Sequence, residues 1–518
     1  MRAVSLRRRL ATAVAGIAAL AVALSGCLYA QIPPVPPTDG ASLAPQTDGV
    51  SAELLPYYGQ TLDWQPCGTG LDCTTVTVPR DYADPSVGDL ELAVVRHRAT
   101  SGTPIGSLLT NPGGPGAAGV SLMKQALSIL VDDKLTQDYD VIGFDPRGVG
   151  ESTAVTCYEP AQLDAFLYDI PPGARGSDER KAALDQRAAD FAQACQDHSD
   201  GILPYITTEN SARDMDVLRA VLGDPKLNYL GFSYGTLLGA TYAGLFPERV
   251  NRMVLDGGID PSVSGSDTSL SQAVGFEQSL RSFMADCLKT KDCPFAGTVD
   301  DAMADVASLL ARVDARPITA GDGRRLGGDT LMTAITAALY SEESWPYLRS
   351  ALTDVSNGRA DVAFQLADFY NGRMGDHYDG NTMEAFIAYN CMDYPDQGTD
   401  AAVAELQQKL DAAAPVIAPY WSGSGGDPCK TWAAPPTGKR EQITAPGSPP
   451  ILVVGTTGDP ATPYEGAQSL ASQLAQGILI TNVGEGHLGY NKGNACVTDA
   501  VDAYLIDGIV PDDGHRCG

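Results

Sequence analysis

The sequence predicts an α/β fold. From about Leu90, short apolar runs bounded by turn residues alternate with longer amphipathic segments, which is the rhythm of alternating strands and helices. The chain has 518 residues, 44% of them hydrophobic, so it can bury one large core or a core with a sizeable insertion. No repeat at a fixed period is visible, which disfavours solenoids and propellers.

Seven segments have the pattern of buried or half-buried strands. In chain order they are LELAVVRHRA, GSLLTNP, DVIGFDP, LNYLGFS, RMVLDGG, PILVVGTTGD and GILITNVGEG. The long stretch between the fifth and the sixth is helical in pattern, as in ADVASLLARV and VAELQQKLDAAA. We therefore expect an α/β core over residues 61–262 and 445–518, with a helical lid inserted at 263–444.

The amino terminus predicts export. Four arginines precede a small apolar segment from Leu10 to Leu24, the pattern of a secretory signal over residues 1–26. The tetrapeptide LSGC that follows resembles the bacterial lipobox, which predicts cleavage before Cys27 and lipid attachment to its sulfur; ordinary cleavage with a free cysteine is the alternative. The proline-rich residues 27–60 are expected to form an extended tether. The mature protein is thus expected outside the cytoplasm as a cell-membrane lipoprotein, with release into the medium as a variation.

Charge narrows the possible partners. The full chain carries a formal net charge of −29 from 35 basic and 64 acidic residues, and removal of the four leader arginines makes it more negative. Such a surface repels phosphate backbones, so we do not expect nucleic acid as a partner. The five histidines and the lack of HExxH or paired CxxC motifs also predict no metal and no cofactor.

Apart from Cys27, ten cysteines remain in the chain. An even number in an exported protein predicts disulfides, although ten cysteines allow about 945 pairings by extension of the counting rule. Pairing of nearest neighbours is the simplest proposal: Cys67 with Cys73, Cys157 with Cys195, Cys287 with Cys293, Cys391 with Cys429, and Cys496 with Cys517.

Ser233 is the candidate nucleophile. It lies between Gly231 and Gly235, after the strand-like LNYLGF and before the helix-like TLLGATYAGLF. In a sharp strand-to-helix turn of this kind the serine adopts a strained backbone conformation that exposes its hydroxyl, and the glycines let the two elements approach closely. A lone G-x-S-x-G is weak evidence, but these flanking segments are the ones that the motif requires.

A serine hydroxyl needs a base, and the base needs a group that fixes its tautomer. When a serine nucleophile sits on such a turn, the order along the chain is serine, acid, histidine. Three histidines follow Ser233: His377 in the lid, His515 near the carboxyl terminus, and His487. Only His487 follows a strand within a glycine-rich turn, so it is the predicted base.

The predicted acid is Asp459, which ends a buried-type strand 28 residues before His487. The carboxyl ends of the strands are where sites form in α/β sheets. Asp256 also follows a strand and is the rival. Asp459 is favoured because Thr462, three residues on, can donate to it or cap a helix.

Two further loops are singled out by their composition. The segment TNPGGPGAAG follows an early strand, and its glycines can turn backbone N–H groups toward a developing oxyanion. The predicted donors are the amides of Gly114 and Tyr234, with Gly113 in reserve. Asp145 and Arg147 in GFDPRGVGES are expected to form a buried pair that braces their loop.

Taken together, the segments NPGGPG, GFDPRGVGES, GFSYG, LDGGIDP, GDPATP and GEGH resemble the secreted tripeptidyl aminopeptidases of actinobacteria and the envelope serine proteases of mycobacteria. The likeness extends from about Trp64 to Cys517. It implies an α/β-hydrolase fold with a helical lid, and an exopeptidase with Ser233, Asp459 and His487 as its triad. The related proline iminopeptidases begin this loop with His-Gly-Gly-Pro-Gly, whereas here Asn111 and Pro112 precede Gly113, as in the tripeptidyl branch. This difference weakens any expectation of strict proline specificity.

An aminopeptidase must also bind the substrate ammonium through an anionic group. Asp393, beside Cys391 in the lid, is the predicted group, and Glu384 and Asp396 are alternatives. The sequence thus predicts a serine exopeptidase that releases short peptides, of tripeptide size by resemblance, from peptide or protein substrates. A carboxylesterase or lipid hydrolase is the alternative enzyme, and a catalytically silent binding protein is the alternative outside enzymes.

Overall fold

The structure, a computed structural model, describes residues 44–395, 398–421 and 426–518. The predicted signal at 1–26, the lipidation candidate Cys27 and the first part of the predicted tether lie outside these residues, as does Asp396. Residues Ala44 to Gly518 form one compact unit.

A ten-stranded sheet forms the centre of this unit. Two small two-stranded sheets, Ile318–Thr319 with Arg325–Leu326 and Arg373–Met374 with His377–Tyr378, are separate from it. The strands are β1 (Gln65–Gly68), β2 (Leu71–Pro79), β3 (Asp89–His97), β4 (Ser107–Asn111), β5 (Asp140–Phe144), β6 (Leu227–Phe232), β7 (Val250–Asp256), β8 (Ile318–Thr319), β9 (Arg325–Leu326), β10 (Arg373–Met374), β11 (His377–Tyr378), β12 (Ile451–Gly458), β13 (Gly477–Glu485) and β14 (His515–Cys517).

The strand order is β1-β2-β3-β5-β4-β6-β7-β12-β13-β14. From β5 to β14 neighbouring strands are parallel, whereas β1, β2 and β3 form an antiparallel edge. Because β4 pairs with both β5 and β6, the direction of winding reverses there, and such a switch point is where α/β sheets bind ligands. Asn111 at the end of β4 pairs with Gly231 near the end of β6, so the loops that follow these two strands lie side by side.

Sixteen α-helices lie in the described residues. They are α1 (Leu55–Tyr58), α2 (Gly119–Leu130), α3 (Asp133–Asp138), α4 (Pro160–Tyr168), α5 (Asp178–His198), α6 (Thr208–Val221), α7 (Tyr234–Leu245), α8 (Gly265–Cys287), α9 (Val299–Ala315), α10 (Gly328–Leu339), α11 (Trp345–Ser356), α12 (Asp361–Asn371), α13 (Thr382–Asp393), α14 (Asp400–Ala413), α15 (Tyr464–Gln473) and α16 (Ala495–Asp507).

The apolar composition of the central strands explains why they are buried on both faces. All six residues of β6 are buried, as are the first six of β12. Parallel strands covered on both faces require such continuous apolar runs, because neither face meets water. Helix α7 starts at Tyr234 and ends before Phe246-Pro247, since the residue before a proline is disfavoured in helical conformation.

The architecture is an α/β-hydrolase fold with an inserted helical lid. Strands β7 and β12 are neighbours in the sheet, so the chain leaves the sheet after Asp256 and returns beside the same strand. Helices α8 to α14 fall in this insertion, and most of them pack around a hydrophobic cluster of their own that includes Phe283, Leu310, Ile335 and Leu348.

The helical cover has a second source that the sequence did not reveal. Helices α4 and α5 leave the core between β5 and β6, within the region predicted as core. Tyr168 at the end of α4 is buried in the lid cluster. The end of α4 therefore extends the lid, whereas the buried residues of α5 (Phe191, Ala192 and Cys195) pack in the main core.

The second half of the predicted tether is folded. From Ala44 the chain belongs to the compact unit, and the tyrosines of α1 are buried in the main core. The hydroxyl of Tyr57 donates to Asp89 (2.6 Å) and that of Tyr58 to Asp216 (2.7 Å). An extended tether up to residue 60 is therefore wrong for residues 44–60, because two aromatic side chains anchor them.

Five disulfides join the cysteines as nearest-neighbour pairing predicts. The pairs are Cys67–Cys73, Cys157–Cys195, Cys287–Cys293, Cys391–Cys429 and Cys496–Cys517. Disulfides in this number are typical of proteins that fold in an oxidising compartment. Among the helices of the described residues, none combines the length and apolar character needed to cross a membrane.

Candidate active site

Ser233 occupies the turn between β6 and α7. Its backbone has φ 55° and ψ −121°, a strained conformation for a residue with a side chain. The Ser233 N–H donates to the carbonyl of Asp256 (2.8 Å), which ties the turn to the neighbouring strand. From Leu227 to Ala240, Ser233 is the one residue that is not buried, so the turn presents its hydroxyl at the surface of the core.

The two glycines around this serine are required by space. A Cβ on Gly231 would lie 2.4 Å from the Tyr229 ring, and one on Gly235 would lie 2.8 Å from the carbonyl oxygen of Asn111. Neither distance is compatible with a real side chain. The motif therefore marks a close approach of helix α7 to β4 and β6.

His487 and Asp459 form a direct pair. Nδ1 of His487 lies 2.9 Å from each carboxylate oxygen of Asp459. Asp459 is buried, with 4% of its surface exposed. With Nδ1 held by the carboxylate, Nε2 is the ring nitrogen left to exchange protons with a substrate or a hydroxyl.

The Asp459 carboxylate is fixed by four further donors. Oδ1 accepts the N–H groups of Ala461 (2.9 Å) and Thr462 (2.8 Å), and Oδ2 accepts the Thr462 hydroxyl (2.9 Å) and the Leu488 N–H (3.1 Å). The Thr462 Oγ1 also lies 3.3 Å from Nδ1 of His487. The predicted supporting role of Thr462 thus corresponds to a bonded position between acid and base.

His487 is also held by the lid. Its backbone N–H donates to the carbonyl of Tyr340 (2.8 Å), and the Tyr340 ring meets the imidazole edge-on with centroids 5.2 Å apart. Sequence reasoning missed Tyr340, because it lies at the end of a lid helix with no local motif around it. The other two candidate histidines have different partners: His377 neighbours Asp376, and His515 contacts Cys496.

Gly257 lies between the serine turn and the histidine. A Cβ there would be 3.5 Å from Cε1 of His487 and 2.8 Å from Oγ1 of Thr462. On its other side, the Thr236 hydroxyl donates to the carbonyl of Ser233 (2.7 Å) and also to that of Gly257 (3.3 Å). The turn that carries Ser233, called the elbow below, and the Asp459–His487 pair therefore both lie next to Gly257.

Asp256, the rival acid, has a different function. It is fully buried, and it accepts the N–H groups of Gly489 (3.0 and 3.1 Å) and Tyr490 (2.8 Å) rather than the imidazole. Burial raises its pKa to about 6, against the opposing effect of these N–H donors. Asp256 thus shapes the loop that carries His487.

The predicted oxyanion loop lies against the elbow. A Cβ on Gly113 would be 2.6 Å from the carbonyl of Phe232 and 3.0 Å from Cβ of Ser233. The Gly113 N–H donates to the Asn111 side chain (3.0 Å). Because this N–H already has an acceptor, the Gly114 N–H is favoured as the donor to substrate. Tyr234 is the first residue of α7, so its N–H has no acceptor within the helix.

Asp393 lies beside this centre rather than at the Asp459–His487 pair. It is 6% exposed, and both of its oxygens accept hydrogen bonds from Thr208. It also lines a cavity of about 550 Å³ together with Glu209, Leu237 and Arg440. The alternative Glu384 is buried and accepts the N–H groups of two neighbouring residues, Cys157 (2.8 Å) and Tyr158 (2.9 Å).

The expected Asp145–Arg147 pair is wrong. Both residues are buried, but the Arg147 guanidinium makes two bonds to Asp214 (2.6 and 2.7 Å). Asp145 instead accepts the N–H groups of Val120 (2.9 Å) and Glu151 (2.8 Å). The loop is braced by two separate carboxylates, because each buried charge finds its own set of donors.

A half-buried serine on a strand-to-helix turn next to the switch point of the sheet, with an aspartate–histidine pair close by, defines the class: a serine hydrolase of the α/β-hydrolase fold. A family model described as "TAP-like protein" matches residues 414–517. Serine protease Hip1 of Mycobacterium tuberculosis is 34% identical over 524 residues, covering 97% of this chain and 96% of that protein.

Two further relatives have other names. Carboxylesterase B of Mycobacterium tuberculosis is 36% identical over 500 residues, covering 93% of this chain and 94% of that protein. Tripeptidyl aminopeptidase of Streptomyces coelicolor is 32% identical over 462 residues, covering 86% and 84%. The chain belongs to the family that contains these three serine hydrolases.

Proposed function

We propose that this protein is an extracytoplasmic serine exopeptidase that releases short peptides, of tripeptide size, from the free amino terminus of peptide substrates. The observation that carries the proposal is the bonding of His487 to Asp459, 2.9 Å from both oxygens, next to a serine in elbow conformation. Two of the relatives above are named as peptidases, which supports amide bonds as the target.

In this proposal Ser233 is the nucleophile, His487 the base and Asp459 the acid that orients it. Oγ of Ser233 bonds to the scissile carbonyl carbon while its proton passes to Nε2 of His487. The tetrahedral intermediate then collapses, the carbon–nitrogen bond breaks, and His487 gives the proton to the departing amine. Water follows the same path: it loses a proton to His487, bonds to the acyl carbon, and the ester bond to Oγ breaks as Oγ regains a proton.

The negative charge that develops on the carbonyl oxygen needs preset donors. We assign this role to the N–H groups of Gly114 and Tyr234. The loss of one such donor costs about 10²–10³ in kcat in a well-studied serine protease, so these two groups supply a large part of the expected acceleration.

The proposal is tested with matched substrates. Tripeptide anilides and the corresponding esters, each with a free or an acetylated amino terminus, are hydrolysed by wild type and by Ser233→Ala. An exopeptidase loses most of its kcat/KM when the amino terminus is blocked. Equal hydrolysis of free and blocked anilides would contradict the exopeptidase assignment, and unchanged turnover by Ser233→Ala would contradict the mechanism.

The alternative function is a carboxylesterase of the cell envelope. It is favoured by the 36% identity with the relative named Carboxylesterase B, and the same chemistry cleaves esters more readily than amides. In the experiment above, this enzyme would hydrolyse blocked and free esters alike and leave both anilides intact.

For location, we propose attachment to the outer face of the cell membrane through a lipid on Cys27. The lipobox-like LSGC supports this, and the five disulfides fit an oxidising compartment. Growth with an alkyne-bearing fatty acid, followed by fluorescent tagging, would label wild type and leave Cys27→Ser unlabelled. Equal labelling of the two would contradict the anchor.

A further inference from the structure

Helix α13 differs from the other lid helices in what it packs against. Its buried residues Ala385, Ala388, Tyr389 and Met392 belong to the main core cluster, which includes residues of the central strands, whereas α8 to α12 surround the separate lid cluster. Near its end, the Cys391–Cys429 disulfide ties it to the chain that leads back to the core. This helix is therefore a fixed wall of the site.

The first half of α13 contacts the predicted oxyanion loop. A Cβ on Gly116 would be 2.6 Å from the carbonyl of Thr382 and 3.0 Å from the N atom of Phe386, so the loop backbone lies directly on the helix. Just before the helix, the Asn381 side chain bonds to the N–H of Gly150 and the carbonyl of Gly148 (both 2.8 Å). The loop that carries Gly114 thus rests on an anchored surface.

The carboxyl end of α13 reaches the second predicted donor through hydrogen bonds. Oδ2 of Asp393 lies 2.6 Å from the Thr208 hydroxyl, and this hydroxyl lies 2.6 Å from the phenol oxygen of Tyr234. The Thr208 N–H also donates to Asp393 (3.0 Å to Oδ1). All three side chains are at most 6% exposed.

The direction of this chain follows from counting donors. With Asp393 ionised, its oxygens only accept, so both the N–H and the O–H of Thr208 are used on it. The Thr208 oxygen then has only its lone pairs to offer, and the Tyr234 hydroxyl must donate to it. A Tyr–Thr–carboxylate chain with one consistent direction therefore holds the Tyr234 side chain.

The Tyr234 ring is also held from its side. Tyr389 of α13 meets it edge-on with centroids 5.8 Å apart. The Tyr389 hydroxyl in turn donates to the carbonyl of Arg147 (2.8 Å) and contacts Ser211 (2.6 Å). Helix α13 thus holds the Tyr234 ring directly through Tyr389 and its hydroxyl indirectly, through Asp393 and Thr208.

We propose that Asp393, acting through Thr208, is a positioning residue that sets the Tyr234 N–H for the oxyanion, and that α13 aligns both donors of the hole. This rests on the proposed function, in which Tyr234 and Gly114 are the donors. An oxyanion donor must lie within about 2.7–3.1 Å of the oxygen, and a misplacement of about 1 Å can cost 10²-fold in rate. The proposal gives Asp393 a role different from binding the substrate ammonium.

Three variants break the chain at successive links: Asp393→Asn, Thr208→Val and Tyr234→Phe. We expect each to lower kcat at least tenfold while KM changes less than about twofold, and to do so equally for free and blocked ester substrates. Thr208→Ser keeps the hydroxyl and is expected to restore most of kcat. Tyr347→Phe removes an exposed tyrosine hydroxyl from the lid surface (63% exposed) and is the control, expected at wild-type kcat.

Two results would overturn the proposal. An increase in KM confined to free-amine substrates in Asp393→Asn would assign this carboxylate to ammonium binding, and wild-type kcat in Tyr234→Phe or Thr208→Val would remove the chain from catalysis. Thermal unfolding of each variant identifies any that fail to fold; Tyr234→Phe, which loses one oxygen atom, keeps the test decisive. Failure of wild type itself to hydrolyse any substrate would instead contradict the proposed function.

Discussion

The substitution Asp459→Asn isolates the role of the acid. The wild-type carboxylate receives the imidazole N–H and four other donors. An amide has one accepting oxygen, so its NH₂ group must face at least one of these N–H or O–H donors. The imidazole would then be stabilised in the opposite tautomer, with its proton on Nε2, where it cannot accept the Ser233 proton.

Asp459→Asn should affect both the turnover rate and the stability of the fold, for separate reasons. In the trypsin-like proteases the corresponding change lowers kcat about 10⁴-fold through the wrong tautomer, and we expect a loss on the order of 10³ to 10⁴ here. A buried donor left without an acceptor costs about 1–3 kcal/mol, so the free energy of unfolding should fall by about that amount. Activity is thus expected to collapse while the protein still folds.

The assay compares Asp459→Asn with two other aspartate-to-asparagine variants. Asp499→Asn removes an exposed carboxylate that pairs with Lys134 at the surface and should keep wild-type kcat/KM. Asp256→Asn perturbs the loop of His487 and should cost activity, but less than Asp459→Asn, because it does not bond to the imidazole. Steady-state kinetics on an activated ester and urea unfolding are measured for each. A loss under tenfold in folded Asp459→Asn, or a larger loss in Asp256→Asn, would refute the assignment of the acid.

The other predictions concern neighbouring groups and pH. Thr462→Val removes a hydroxyl 2.9 Å from the Asp459 carboxylate and should lower kcat by about tenfold, the order expected for one lost hydrogen bond to a charged group; unchanged kcat would contradict a supporting role. Gly113→Ala introduces a Cβ 2.6 Å from a carbonyl oxygen at φ +104°, so activity should fall at least 100-fold in ester assays, whereas Gly102→Ala, with open space at φ +76°, should keep it; equal effects would contradict the packing argument. Burial raises the pKa of five aspartates to about 6: Asp145, Asp224, Asp256, Asp393 and Asp502. In the unfolded chain the same carboxyl groups have pKa values near 4. Between pH 4 and pH 6 the folded state therefore binds more protons than the unfolded state. The free energy of unfolding should accordingly fall as the pH rises from about 4.5 to 6.5, and level off above that. Urea unfolding at pH 5 and pH 7.5 in high salt, which screens the surface charge, tests this; greater stability at pH 7.5 would contradict it.

The elbow could be predicted because all of its determinants are local. Strand, turn, glycines and helix are contiguous in the sequence, and the close contacts of Gly231 and Gly235 explain why the pattern is specific. The pairing of His487 with Asp459 was also accessible, since both follow strands whose carboxyl ends share one edge of the sheet. The sequence distinguishes Asp459 from Asp256 as the acid less clearly, because β7 and β12 are neighbours in the sheet. Only the direction of each aspartate side chain decides which of the two bonds to His487.

The features that sequence reasoning missed depend on contacts between distant segments. Arg147 pairs with Asp214, which belongs to α6, and no periodicity links the two. Tyr340, at the end of a lid helix, and Thr208, at the start of α6, reach the site from distant parts of the chain without a motif of their own. The proline run from Pro33 to Pro37 predicts an extended segment, but it does not reveal that Tyr57 and Tyr58 further on are buried, so that the folded unit starts near Ala44.

The proposed mechanism requires Ser233 to carry the covalent intermediate. Labelling of the intact protein with a fluorophosphonate, followed by tryptic digestion and mass spectrometry, tests it directly, because cleavage after Lys226 and Arg249 yields a peptide in which Ser233 is the only serine. We expect one phosphonate on that serine, loss of esterase and peptidase activity in proportion to labelling, and no adduct in Ser233→Ala. An adduct on another residue, or full labelling of Ser233→Ala, would contradict it.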